Sequence, residues 1–231
     1  HLHYPAPDAQ PPAAFRALLA RVRRDHGRLD LVINAVGVER SRQLARKPVA
    51  EMREELNTKV LATINILNAA AAMSAGLVLN FGSLASRWGN AGQPVYACAN
   101  EIVSQLTRAH NQLRGRRAAV AIEWPPWDGV GMTAPAPVLH QLRRRGLSLL
   151  RPPKGAVLLA ADLRHPEHDV VAYADQRDVR LLRAAIADRR RDTVLLGART
   201  GEGRYQRVLD RTHDEWLRDH VIDGVSYLPA A

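Results

Sequence analysis

The run from Leu29 to Asn34, with Leu31-Val32-Ile33 at its centre, is apolar at consecutive positions. A strand wetted on one face alternates polar and apolar residues, whereas an unbroken apolar run is buried on both faces, as in a parallel sheet covered by helices. The flanking segments supply those helices. Pro11 and Pro12 open a helix running to about His26, with Gly27 as its stop, and Pro48 starts a long helix with apolar spacing through Val60, Ile64 and Leu67. Gly76 to Phe81 reads as the next strand, Tyr96 to Leu113 as a helix and Ala118 to Ile122 as a third strand. Lys154 to Leu163 reads as a helix and Val170 to Ala174 as a last strand. Such alternation predicts an α/β fold built on a doubly wound parallel sheet. Ligands of these sheets bind at the carboxyl ends of the strands, where Gly37, Ser83 and Trp124 fall.

A set of polar residues near those ends points to a chemistry. Lys59, Ser83, Tyr96 and Asn100 follow one another along the chain, and Tyr96 and Asn100, four apart, share one helix face. Adding hydride to a ketone requires a proton donor for the developing alkoxide. Tyrosine can serve if its pKa, near ~10 in water, is lowered by a nearby cation. In that scheme Tyr96 donates, Lys59 stabilises the tyrosinate, the Ser83 hydroxyl holds the substrate oxygen, and Asn100 anchors a water or the lysine. Taken singly, each residue reads as structural, since Ser, Tyr and Asn are common around helix starts and a lone lysine is usually solvated.

The order and spacing of several motifs resemble the ketoreductase domain of type I polyketide and polyunsaturated fatty-acid synthases, within the short-chain dehydrogenase/reductase superfamily. Leu31-Val32-Ile33-Asn34-Ala35-Val36-Gly37-Val38 resembles the family's strand ending in an Ala-Gly turn, and Asn57-Thr58-Lys59-Val60 its lysine-bearing helix. Asn80-Phe81-Gly82-Ser83 resembles the strand ending at the catalytic serine, and Arg87 to Gln93 the loop leading to the tyrosine. Glu123-Trp124-Pro125-Pro126-Trp127-Asp128-Gly129 is similar to the segment covering the nicotinamide. The resemblance covers about Asp30 to Asp128 and implies a Rossmann-like fold. It also implies NADPH as cofactor, held by Asn34, Ala35, Gly37, Tyr96, Pro126 and Trp127, and a β-ketoacyl thioester tethered to an acyl carrier protein as substrate. Met132 to Gly146, rich in Pro, Ala and Arg, is expected to form a lid.

The departures from the family pattern are specific. Position 100 is Asn where free-standing members carry Lys, which is the synthase-type arrangement. Pro125 stands where the family usually has glycine, fixing φ and removing an N–H. The loop Val38 to Leu44 lacks the Leu-Asp-Asp marker of one stereochemical class, and Trp88 resembles the marker of the other.

The ends suggest a piece of a larger protein. No Gly-rich, phosphate-cradling turn stands ahead of Asp8, so the sheet is expected to lack its first βαβ unit, leaving the Leu29 to Asn34 strand as an exposed edge. His220-Val221-Ile222-Asp223-Gly224 through Pro229 has the spacing His-x-x-x-Gly-x-x-x-x-Pro and resembles the opening of a hotdog-type dehydratase, with His220 as its base. The expected organisation is residues 1–174 for the C-terminal part of the ketoreductase, 175–211 for a linker containing a charged helix from Gln176 to Arg191, and 212–231 for the dehydratase start. Such an arrangement fits an iterative synthase of the enediyne or polyunsaturated fatty-acid kind, with the other synthase domains as partners.

The net charge of +10 invites a nucleic-acid reading, but the basic residues are almost all Arg, scattered along helices with few aromatics between them. Docking of an acidic carrier protein is the better use of that charge. One cysteine, Cys98, argues against disulfides and a thiolate metal site, and no metal is expected. No apolar run reaches membrane-spanning length and no signal peptide is present, so the expected compartment is the cytoplasm. Two alternatives to an enzyme are a non-catalytic structural reductase subdomain, which retention of Lys, Ser, Tyr and Asn disfavours, and a basic nucleic-acid-binding module, which only charge supports.

Overall fold

The computed structural model describes residues 12–144, 146–164, 166–180, 183, 198–201, 204–206, 221–222 and 225–226. The chain divides into two compact units, His1–Asp178 and Val179–Ala231.

The first unit is a four-stranded parallel sheet in the order β1-β2-β3-β4, formed by Leu31–Asn34, Leu77–Ser83, Ala119–Trp124 and Val170–Ala172. Between the strands run α2 (Val49–Ala72), the single turn α3 (Ala85–Trp88), α4 (Pro94–Arg114), α5 (Ala136–Arg144) and α6 (Pro152–Arg164), with α1 (Pro12–His26) ahead of β1. Short 3₁₀ turns at Leu44–Arg46 and Gly131–Thr133 shape two of the loops. Every residue of β3 is buried, as expected of a central parallel strand.

Helices cover both faces. On one, Phe15 and Leu19 of α1 and Ile66, Leu67, Ala69 and Ala70 of α2 pack on Val32, Val78 and Ala119. On the other, Leu158 and Leu159 of α6 pack with Leu79, Val120, Ile122 and Trp124. Gly155 lets α6 descend onto the sheet, because a Cβ there would collide with the ring of Trp127. Ile33 on the same face is half exposed. Strands β2 and β3 run two residues past their expected ends and so deliver Ser83 and Trp124 as paired neighbours in register. Strand β1 is shorter than expected, though the carbonyls of Leu29 and Asp30 already accept from Gly76 and Leu77 at 2.9 Å.

A chain of buried amides and hydroxyls crosses the first face. The Asn34 amide donates to Thr63 Oγ1 and to Asn80 Oδ1, both at 3.0 Å, and Asn80 donates to Thr107 Oγ1 at 3.0 Å. Thr63 and Thr107 each donate 2.8 Å back to the carbonyl one turn earlier, those of Lys59 and Val103. The helices bearing Lys59 and Tyr96 are thereby tied to each other through two strands.

In the second unit, β5 (Ala198–Gly201) pairs antiparallel with β6 (Arg204–Gln206), and β7 (Val221–Ile222) with β8 (Val225–Ser226). The first pair lies within the segment expected to be linker. Of the helix expected from Gln176 to Arg191, residues 176–180 and 183 are described and are helical; His220 lies outside the described residues. Among the described residues no helix is long and apolar enough to cross a membrane.

Candidate active site

The loop after β1, the ends of β2 and β3, and the first turns of α4 converge at the carboxyl edge of the sheet. Pro94 opens α4, its ring suited to a first turn whose N–H groups have no helical partner, and places Tyr96 in that turn. Burial holds the Tyr96 phenol above its ordinary pKa; the Ser83 hydroxyl and the Asn100 side chain beside it pull the other way, and the charge of Glu39 adds to the rise. Ser83 Oγ accepts from the Ala85 N–H at 3.2 Å, which occupies one lone pair and leaves the hydroxyl proton to donate.

Lys59 reaches the same edge from the middle of α2. Its Nζ donates to the carbonyls of Phe81 at 2.8 Å and Val36 at 3.3 Å, and burial lowers its pKa from 10.5 to about 8. Gly37 marks how close the groups lie: a Cβ there would be 3.4 Å from Lys59 Nζ and 3.5 Å from Met132 Cε. Asn100 donates 2.8 Å to the Tyr96 carbonyl, and its own Oδ1 is buried without a partner.

The expected set Lys59, Ser83, Tyr96 and Asn100 is therefore gathered at one edge, but its electrostatics differ from the expectation. The phenol is raised rather than lowered, because burial outweighs the hydrogen bonds of Ser83 and Asn100. Asn100 anchors the tyrosine backbone, not the lysine. Asn34 serves the buried amide chain, and its Oδ1 accepts from Val36 N at 3.2 Å, shaping the turn that presents the exposed Ala35 and the half-buried Gly37. The Pro126 carbonyl accepts from Leu150 at 2.8 Å. The Trp127 indole packs on Trp124, with centroids 5.0 Å apart, and on Gly155, while its carbonyl accepts from Thr133 Oγ1. Within the expected lid, Met132 lies in the 3₁₀ turn and α5 follows, tethered at Arg143 to Asp128 by a 3.1 Å ion pair.

Three contributors escaped the sequence reading. Glu39 acts on Tyr96 through space from the loop after β1, and no spacing rule connects the two. Lys47 and Glu55 form a fully buried ion pair that grips the backbone of Arg40 in that loop. Arg40 N donates to Glu55 at 2.7 Å and Lys47 donates to Arg40 O at 2.6 Å; the second Glu55 oxygen meets the ammonium as an ion pair, without a directed hydrogen bond. Arg42 N in turn donates 2.7 Å to Gly92 O, joining this loop to the one before Tyr96. The third is Glu123, an acidic residue inside a buried strand; its polarity among apolar neighbours is a signal that could have been read. Among the described residues no cluster of three or more His, Cys, Asp or Glu is placed to hold a metal.

The family model for the KR domain matches residues 1–129. Polyketide synthase GfsA of Streptomyces halstedii is 31% identical over 147 residues, 63% of this chain and 2% of that protein. A polyunsaturated fatty acid synthase polypeptide from a Thraustochytrium species is 28% identical over 204 residues, 88% of this chain and 6% of that protein. The chain thus spans a small fraction of the curated relatives it matches. Among solved structures, the ketoreductase from the first module of phoslactomycin biosynthesis in a Streptomyces species superposes with a TM-score of 0.66 at 26% identity, over 73% of this chain and 38% of that one.

Proposed function

The chain belongs to the KR domain family of polyketide and polyunsaturated fatty-acid synthases, and from that premise we propose that it reduces a carrier-protein-bound β-ketoacyl thioester to the β-hydroxyacyl thioester, using NADPH. The observation that carries the reading is the hydrogen-bonded pair of Tyr96 and Ser83 side chains at the carboxyl edge of a parallel sheet, where the buried Lys59 ammonium is held on the carbonyl of Phe81, two residues before Ser83.

The residues present fit the nicotinamide end of the cofactor. Gly37 carries no side chain to obstruct it, Ala35 is exposed on the same turn, and the buried, unpartnered Oδ1 of Asn100 offers an acceptor. Asn34, Ala35, Gly37, Tyr96, Pro126 and Trp127 would hold it, Asn34 by way of the turn that its side chain shapes. When bound, NADPH supplies the hydride. Ser83 holds the ketone oxygen by a hydrogen bond, Tyr96 delivers its phenolic proton to that oxygen as charge develops, and the Lys59 ammonium stabilises the tyrosinate left behind. Burial that raises the phenol pKa keeps Tyr96 protonated and ready to donate.

The parent protein is read as an iterative synthase of the polyunsaturated fatty-acid or enediyne kind. Support comes from the fatty-acid synthase match, whose 204 residues exceed the 174 assigned to the reductase part and so extend past its expected end. The tail is read as the start of a dehydratase with His220 as its base. NADPH oxidation with a β-ketoacyl thioester tests the reading, using this chain and a form extended upstream. The extended form is expected to turn over and to lose about 10²-fold or more in Tyr96→Phe. A folded extended protein without turnover would mark the chain as a structural subdomain.

A further inference from the structure

The Glu123 carboxylate has no part in the chemistry above, yet it is completely buried at the carboxyl end of β3. An ionised carboxylate withdrawn from water is strongly disfavoured unless its lone pairs are met, and here both oxygens are met from distant parts of the chain. Oε1 accepts from Ser104 Oγ at 2.8 Å, and Oε2 accepts from Arg87 Nε at 2.5 Å. The Arg87 guanidinium is pushed above its ordinary pKa chiefly by that hydrogen bond, although a third of its side chain remains exposed.

What these partners carry gives the arrangement its meaning. Arg87 lies in α3, the turn that begins two residues after Ser83. Ser104 lies on α4 in line with Asn100 and Tyr96, at intervals of four residues along one helix face. Glu123 itself sits in register with Gly82, and the next pair down is Ser83 with Trp124, closed by Leu84 N donating 2.9 Å to Trp124 O. One carboxylate therefore joins the strand beside Ser83, the turn after Ser83 and the helix of Tyr96. Neither hydroxyl is touched by Glu123, but the elements that aim both are.

We propose that Glu123 is a positioning residue that, through Arg87 and Ser104, sets the separation of the Ser83 and Tyr96 hydroxyls and so governs the proton-delivery step rather than substrate binding. The inference rests on the reductase reading. A link of this kind differs from a simple stabilising contact because a small misplacement of a donor lowers turnover while leaving the binding surface intact.

The test uses the upstream-extended protein and the variants Glu123→Gln, Arg87→Met, Arg87→Lys, Ser104→Ala and Glu123→Gln with Arg87→Met, assayed below every unfolding midpoint. Glu123→Gln and Arg87→Met are expected to lower kcat about tenfold or more with KM for the thioester within about twofold. Arg87→Lys should recover most of the loss, Ser104→Ala should show a smaller kcat loss of the same kind, and the double variant should be no worse than either single one, since one link is broken in each. If Glu123→Gln does not fold, Arg87→Met carries the test, because its side chain is partly in water already. Folded variants with unchanged kcat, or with a raised KM alone, would overturn the proposal while wild-type turnover kept the reductase reading. A wild type without turnover removes both.

Discussion

Lys59 and Tyr96 are shifted toward opposite ends of the alkaline range, and by the same cause. Burial favours the neutral form of each, so the lysine falls from 10.5 to about 8 while the tyrosine rises. The group that titrates first with increasing pH is therefore the lysine, although tyrosine is the acid. The alkaline limb of kcat/KM is expected near pH 8, and Lys59→Arg, which keeps its charge, should move it upward; a limb unmoved by that change would contradict the assignment. Stability carries the complementary signature. Below about pH 8 the folded state bears the full cost of a buried ammonium, about 3 kcal/mol for the drop from 10.5 to about 8, and the cost fades as pH rises toward 10.5. Lys59→Met is thus expected to be the more stable protein near neutrality by up to about 3 kcal/mol, with the gap closing toward pH 10.5. Denaturant midpoints across that window measure it, and a constant gap would refute it.

At the scale of elements, α2 shows where reading a sequence stops short. Its apolar spacing through Val60, Ile64 and Leu67 identifies a helix, and the helix is there, but Val60 and Ile64 are only half buried. The buried stripe instead carries Glu55, Lys59 and Thr63 at intervals of four, each matched by a partner from another element: Lys47, the Phe81 carbonyl and Asn34. A periodicity of hydrophobic residues assigns such positions to water, because the partners that make their burial tolerable are known only once the chain has folded. The alternation of strands and helices was legible from local signals, and the grouping of Lys59, Ser83, Tyr96 and Asn100 from the order and spacing of motifs that resemble the ketoreductase family. The grip of Lys47 and Glu55 on the Arg40 backbone was not, since it depends on the 3₁₀ turn at Leu44–Arg46 bringing the loop back onto α2. Lys47→Met leaves the Glu55 charge buried alone and is expected to cost about 3–5 kcal/mol in urea unfolding. Pairing it with Glu55→Leu should restore all but about 1–2 kcal/mol, and a double variant as weak as the single one would show that the pair does more than neutralise itself.

For the molecule as a whole, the boundary of the first unit falls four residues beyond the end expected at Ala174, and Asp178 explains the extension. Its buried carboxylate accepts from both the N–H and the hydroxyl of Ser148 at 3.2 Å, stitching the chain after β4 to the segment between α5 and α6. A protein ending at residue 174 is expected to be about 1–3 kcal/mol less stable than one ending at residue 180, and equal thermal midpoints would exclude Asp178 as the closing residue. The second unit was the harder part to read, since its described strands are only two to four residues long. The run Gly201-Glu202-Gly203, which starts at the last residue of β5, was the available turn signal. The amide chain from Thr63 to Thr107 has a consequence for how this sheet finds one alignment. A parallel strand can slip by two residues and still present the same faces, so apolar patterning alone permits mispairing of β1. Slipped that way, Asn80 would face Val32 instead of Asn34, stranding amides on both strands in a dry interior at several kcal/mol. The asparagine pair works as a key that only one alignment turns.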